Sequence, residues 1–135
     1  MENLYIAIDS NSKLGKEFIP QDPKEQSKNG MLLGDISNKK NILLVGNALP
    51  QCKGRITRRR KTINTIEESI IDLILISLDL EKYMVKIAID DERKHVLSRA
   101  STDKDGKVTI KESDHNMIVG SIILKAEKIM KMLKE

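Results

Sequence analysis

Ser69-Ile70-Ile71-Asp72-Leu73-Ile74-Leu75-Ile76 is an apolar, β-branched run with one carboxylate inside it. A short continuous run of this kind predicts a buried strand. An ionised carboxylate inside such a strand is costly unless something pairs with it, so Asp72 demands a partner. The best match is His115, which sits in Ser113-Asp114-His115-Asn116 just before a second apolar run, Met117 to Ile123. An Asp that accepts the Nδ1 proton of a His fixes its tautomer and stabilises the imidazolium, as a general base or a phosphate-contacting His requires. A third run, Leu4 to Ile8, leads into Asp9-Ser10-Asn11 and completes a set of three polar stations, each tied to a predicted buried strand.

Taken in order, these stations resemble the endonuclease/exonuclease/phosphatase superfamily, the DNase-I-like fold. The similarity is greatest to the apurinic-type endonuclease domain of non-LTR retrotransposon reverse transcriptases. In that family a strand ends in Gly-Asp-x-Asn, a later strand carries Ser-x-Ile-Asp-Tyr, and the domain closes with Ser-Asp-His-Asn-Pro. The counterparts here are Ile8-Asp9-Ser10-Asn11, Ser69-Ile70-Ile71-Asp72-Leu73 and Ser113-Asp114-His115-Asn116-Met117. Asn29-Gly30, Val45-Gly46-Asn47 and Thr57-Arg58 fall between them in matching order. Ile8, Leu73 and Met117 replace the family's Gly, Tyr and Pro.

The resemblance implies a role for each residue. Asp9 activates or orients the attacking water, and Asn11 holds the phosphate as negative charge builds. Asp72 orients His115, His115 contacts the pentavalent phosphate, and Asp114 lies near a divalent metal. Phosphodiester hydrolysis needs an oriented water, a cation for the oxygens that gain charge, and preorganised donors. Mg²⁺, or Mn²⁺ in its place, is the expected ion, being hard and oxygen-seeking. The family's main metal-binding Glu, together with an Asn and a Tyr, belongs to a first half that this chain is expected to lack. The resemblance thus implies a single partial domain over residues 1–135, the C-terminal half of a two-sheet α/β (α+β) sandwich: one mixed sheet with flanking helices.

Length supports that expectation. With 135 residues the chain can bury a core, yet it is about half of what the two-sheet domain needs. A lone sheet would expose an apolar face, so a missing N-terminal half-domain or a homodimer partner is expected to cover it. One cysteine, Cys52, rules out an internal disulfide framework. No stretch suits a signal sequence or a membrane span. These features point to an intracellular protein, nuclear or cytoplasmic, with no membrane partner.

The formal net charge is only +4, but the basic residues are unevenly spread. Arg55, Arg58, Arg59, Arg60 and Lys61 crowd one segment with Lys53. On an alternating strand, Arg58 and Arg60 share a face with Ile56 and oppose Thr57, Arg59 and Lys61. Such a strand suits contact with the phosphate backbone of a nucleic acid, DNA above all given the resemblance. It equally suits a solvated edge whose cations discourage aggregation. Tyr5, Tyr83 and Phe18 are the only aromatics and none interleaves with the basic run, so base stacking is not expected.

The remaining elements follow from pattern. Residues 10–28, with Pro20 and Pro23, predict an exposed loop. A helix from about Asn29 places Leu32, Leu33 and Ile36 on one face, and a strand spans Ile42 to Val45. Thr62 to Glu68 reads as a connection, a turn or short helix lies near Asp79 to Tyr83, and Val85, Ile87 and Ile89 mark a half-buried strand. Val96 to Arg99 and Val108 to Lys111 bracket Asp105-Gly106, a hairpin signal. Ser101 to Glu112 also has the spacing of an EF-hand calcium loop, although Ser101 replaces the usual first Asp and the flanks alternate like strands. The C-terminal stretch predicts an amphipathic helix docked through Ile122, Ile129, Met130 and Leu133, with Lys125, Lys128, Lys131 and Lys134 outward. Beside the endonuclease reading stands a non-catalytic descendant of that fold, acting as a nucleic-acid or protein interaction module.

Overall fold

The computed structural model describes residues 3–40, 43–124 and 126–134. Ile42 and Lys125, and the side chains of Lys128 and Ile129, lie outside the described residues. The elements run β1 (Tyr5–Asp9), α1 (Lys28–Lys40), β2 (Leu43–Val45), β3 (Cys52–Lys53), β4 (Arg58–Lys61), β5 (Ile66–Ser69), β6 (Asp72–Ser77), β7 (Met84–Ile89), β8 (Ser98–Thr102), β9 (Val108–Glu112), β10 (Ile118–Ile122) and α2 (Ala126–Lys134). Short 3₁₀ turns cover Gly46–Ala48 and Leu78–Tyr83.

The fold is mixed α/β, dominated by strands in several small sheets. The expected single mixed sheet is replaced by two three-stranded sheets, ordered β1-β6-β2 and β10-β7-β3, and two separate hairpins, β4-β5 and β8-β9. Among the described residues all strand pairings are antiparallel except β3 with β7.

The two three-stranded sheets meet through β6. Its side chains alternate, so Ile74 and Ile76 face one way and Leu73 and Leu75 the other. Ile74 and Ile76 join Met84 and Ile87 of β7 in one apolar cluster, with Ile118 and Ile122 of β10 at its margin. Gly120 makes room at this contact, because a Cβ there would lie 2.1 Å from the Tyr5 hydroxyl. Leu73 and Leu75 join Leu14, Ile19, Ile56 and Ile70 in a second cluster, flanked by Leu33 of α1. Burying each such side chain contributes about 1.5–3 kcal/mol, so the β6 run holds both clusters together.

Several expectations change for identifiable reasons. β6 is covered on both faces, so the apolar face expected to lie open is not on this strand. β1 and β10, expected to be buried, are edge strands of their sheets, leaving Ile8, Met117, Val119 and Ile123 exposed. The supposedly exposed loop 10–28 sends Leu14 and Ile19 into the core and buries Asp22, whose carboxylate accepts from the Gly15 and Lys24 N–H groups. In α1 it is Leu32 and Ile36 that face solvent, while Gly30, Gly34 and Ser37 turn inward. A Cβ on Gly30 would stand 1.8 Å from the Lys13 carbonyl, and one on Gly34 2.5 Å from the Phe18 ring, so close backbone approach overrides apolar periodicity.

Residues 66–68, read as part of a connection, form β5 together with Ser69. The β7–β10 ladder slips between Ser121 and Ile122, pairing Ile122 with Met84; Met84 is therefore buried and Val85 exposed. Residues 101–112 form part of the β8–β9 hairpin, with strands where an EF-hand needs helices. Met130 and Leu133 of α2, expected to dock, are exposed. No helix among the described residues is long and apolar enough to cross a membrane.

Candidate active site

The site lies where the start of β6 meets the segment leading into β10. β1 and β6 pair in a register that sets Asp9 directly opposite Asp72. Asp72 shares a β6 face with Ile74 and Ile76, so its side chain leans toward the second sheet, where residues 113–116 precede β10. That segment is stitched to β4: Arg59 N–H donates to the Asp114 carbonyl at 2.8 Å, Asn116 N–H donates to the Thr57 carbonyl at 2.7 Å, and Arg58 bridges His115.

His115 Nδ1 meets both Asp72 carboxylate oxygens, at 3.1 and 2.9 Å. With the proton on Nδ1 donated to Asp72, Nε2 is left free to act. Nε2 lies 3.9 Å from Asp9 Oδ2 and 3.8 Å from Asp114 Oδ1. The other Asp114 oxygen accepts from Arg58 Nε at 2.7 Å. Three sequence-predicted residues, Asp9, Asp72 and Asp114, thus converge on the imidazole of a fourth, His115. Asn11 sits on the turn leaving β1, with a positive φ of 45° and its N–H donated to Asp9 Oδ1 at 3.0 Å.

The two inner carboxylates sit in opposed environments. Burial pushes the Asp72 carboxyl above the usual carboxylate range, and hydrogen bonds from His115 and Thr57 recover only part of the shift. Burial also acts on Asp114, but there the Arg58 hydrogen bond and charge outweigh it and hold the carboxyl low. Asp114 therefore stays ionised while Asp72 is kept from full hydration beside the ring it orients.

Residues that sequence reasoning left without a role hold this geometry. Thr57 is fully buried, and its hydroxyl oxygen accepts from the N–H groups of Ile71 and Asp72 at 2.9 and 3.0 Å. Asn47 donates to the Asp72 carbonyl and accepts from Ile74 N–H, both at 3.0 Å, clamping the strand beside the site. Arg93, at φ 54°, donates to the Ser113 carbonyl and to Asn116 Oδ1. Asp91 accepts from the N–H groups of Arg55 and Ile56. Thr57 and Asn47 lay within matched stretches, but nothing local marked Asp91 and Arg93, whose partners are distant in sequence.

The basic residues separate. Arg58, Arg59, Arg60 and Lys61 line an open groove of about 1090 Å³ beside Asp114. Arg59 is partly spent on Glu68 and the Asp91 carbonyl. The alternation of faces expected from Ile56 onward does not extend through the segment: Ile56 and Thr57 are both buried, and the strand begins only at Arg58. Arg55 lies outside the groove lining and donates to the Gln21 carbonyl.

Asp9, Asp72 and His115 can each offer a ligand atom, the three lying within 4.8 Å of one another. Because Asp72 is engaged with Nδ1, the readily available oxygens belong to Asp9 and Asp114. A hard dication takes one or two carboxylates and keeps water or phosphate in its other positions, so Asp9, or Asp114 outside the three-residue group, is a donor of the type that Mg²⁺ or Mn²⁺ takes. Comparison with protein-family models, with curated proteins and with solved structures found no match.

Proposed function

We propose that this chain carries half of a metal-dependent phosphodiesterase site acting on nucleic acid, in the manner of the DNase-I-like endonucleases it resembles. The observation that carries this reading is the His115 ring, with Nδ1 held by Asp72 and Nε2 open toward Asp9 and Asp114. A phosphate seated beside Nε2 receives a hydrogen bond from the ring once it is protonated, which stabilises charge building on the phosphoryl oxygens. Asp9, exposed and opposite Asp72, orients the attacking water and accepts its proton. Asn11 follows on the same turn and offers its amide to the phosphate. Asp72 fixes the His115 tautomer. Asp9 and Asp114 would hold the divalent ion, which supplies neutralisation of the charge that develops on the reacting phosphate.

The glutamate that is the family's main metal ligand has no counterpart at a matching station in this sequence. Among the described residues, the acidic side chains that meet His115 are Asp9, Asp72 and Asp114. A further polypeptide segment, an N-terminal half-domain or a second copy, therefore supplies it in the active assembly. The exposed cationic groove favours a second reading, a nucleic-acid-binding module without catalysis.

The deciding experiment is nicking of supercoiled plasmid by the purified chain with Mg²⁺, with EDTA, and with His115→Ala. Nicking that needs Mg²⁺ and disappears in the variant supports the phosphodiesterase. A folded chain that binds the plasmid without nicking it, alone or with an acid-donating partner segment, leaves the binding module as the function.

A further inference from the structure

The β8–β9 hairpin stands apart from the rest of the fold. Among the described residues no other strand pairs with it, and every residue of both strands is exposed. A two-stranded ribbon alone in water is marginal, and this one carries a further penalty. Its register sets Arg99 directly opposite Lys111, and like charges so placed destabilise a ladder. Both residues line the groove that β4 lines. Arg60, Lys61, Arg99 and Lys111 have no carboxylate partner among the described residues.

The cations are confined to one face. Arg99 and Ser101 share a face with Lys111 and Thr109, while Ala100, Ile110 and Val108 occupy the other. Ser101 lines the groove beside the cations. We propose that the β8–β9 ribbon is a phosphate-gripping arm: Arg99 and Lys111 hold the sugar-phosphate backbone of a nucleic acid against Arg60 and Lys61 of β4, so that the strand runs past Asp114 into the site. A polyanion relieves the Arg99–Lys111 repulsion and orders the ribbon as it binds. This inference rests on nucleic acid being the substrate and extends the binding surface to a hairpin with no counterpart among the matched motifs.

The test is fluorescence anisotropy of the full chain with labelled duplex DNA and duplex RNA of one sequence, in EDTA, over a salt series. Arg99→Glu/Lys111→Glu is compared with the parent, and Lys16→Glu/Lys28→Glu serves as a reversal of equal charge away from the groove. Each phosphate contact contributes about −0.9 to the slope of log K against log salt for a DNA duplex. The ribbon variant is expected to bind at least about tenfold more weakly, with a slope shallower by about 1.8, and the control to change far less. The nucleic acid whose affinity falls identifies the source of the phosphates. Equal losses in both variants, or a ribbon variant within twofold of the parent and with the parent's slope, overturn the arm. Because EDTA prevents turnover, a chain that binds through Arg99 and Lys111 yet never nicks upholds the arm while overturning the phosphodiesterase. A chain that nicks while the ribbon variant binds like the parent does the reverse.

Discussion

The Asp72 carboxylate and the His115 imidazole meet at 2.9 Å although 43 residues separate them in sequence. Asp72 begins a strand of one sheet, and His115 lies three residues before the start of a strand of the other. Their contact therefore reports whether the two sheets are correctly docked, and it fixes which ring nitrogen is free. Fold and chemistry depend on the same bond.

Replacing Asp72 with Asn keeps the shape but removes the anion that selects the Nδ1–H tautomer. Plasmid nicking should fall by about a hundredfold or more, and the ¹⁵N shifts of the His115 ring should move toward the other tautomer. Stability should behave oppositely. Burial raises the Asp72 carboxyl, so the native state holds its proton more tightly than the unfolded chain does. The stability of the parent should then fall as pH rises from the ordinary carboxylate value through the raised one. The Asn variant escapes that fall, and a urea midpoint at neutral pH well below the parent's would contradict this account.

Asp114 provides the reverse case. Its folded-state pKa is depressed by Arg58 despite burial, so its contribution is present above the ordinary carboxylate value and is lost as pH falls through the depressed one. Its side chain is 37 % exposed, so screening limits the pair to about 0.5–1 kcal/mol. Urea midpoints of the parent and of Asp114→Asn should differ at pH 6 and converge as the acid range is entered. A difference that stays constant down to pH 2 would mean that packing, rather than charge, is lost.

Thr57 offers a sharper stability test. Its hydroxyl oxygen satisfies two backbone N–H groups in a fully buried setting. Thr57→Val keeps the volume and strands both donors, at a cost of about 2–4 kcal/mol. Thr57→Ser keeps the acceptor and loses one methyl, about 1 kcal/mol. Chemical denaturation of the two variants should rank them in that order. A larger loss for Thr57→Ser than for Thr57→Val would assign the role of Thr57 to its methyl group.

The legible parts of this protein are those where one strong local requirement acts. The Ile70 to Ile76 run had to be buried, and a carboxylate inside it had to find a partner; His115 is that partner in the fold. The Asp105-Gly106 turn closes a hairpin, with Gly106 at φ 79°. What stayed hidden depends on distant backbone. Ile66–Ser69 has no apolar alternation and becomes a strand by pairing with β4, where Arg59 lies opposite Glu68 and reaches its carboxylate at 3.3 Å. Helix α1 turns Gly30 and Gly34 inward because the Lys13 carbonyl and the Phe18 ring leave no room for a side chain. Arg93 reaches residues 113–116 from a turn that carries no motif.

Metal binding can be checked without turnover. Mn²⁺ held by Asp9 and Asp114 should broaden the His115 ring protons and the Asn11 amide in NMR spectra at lower Mn²⁺ than it broadens other signals. Asp9→Asn removes an exposed carboxylate that makes no strand-critical bond, so the fold should persist while the broadening requires about tenfold more Mn²⁺, the equivalent of about 1.4 kcal/mol. Asp114→Asn should act similarly, and the double variant should show no site-specific broadening at all. Broadening that survives the double variant and tracks Glu67 or Glu68 instead would move the ion out of the imidazole cluster and into the β4–β5 hairpin, and with it the assignment of Asp9 and Asp114 as ligands would fall.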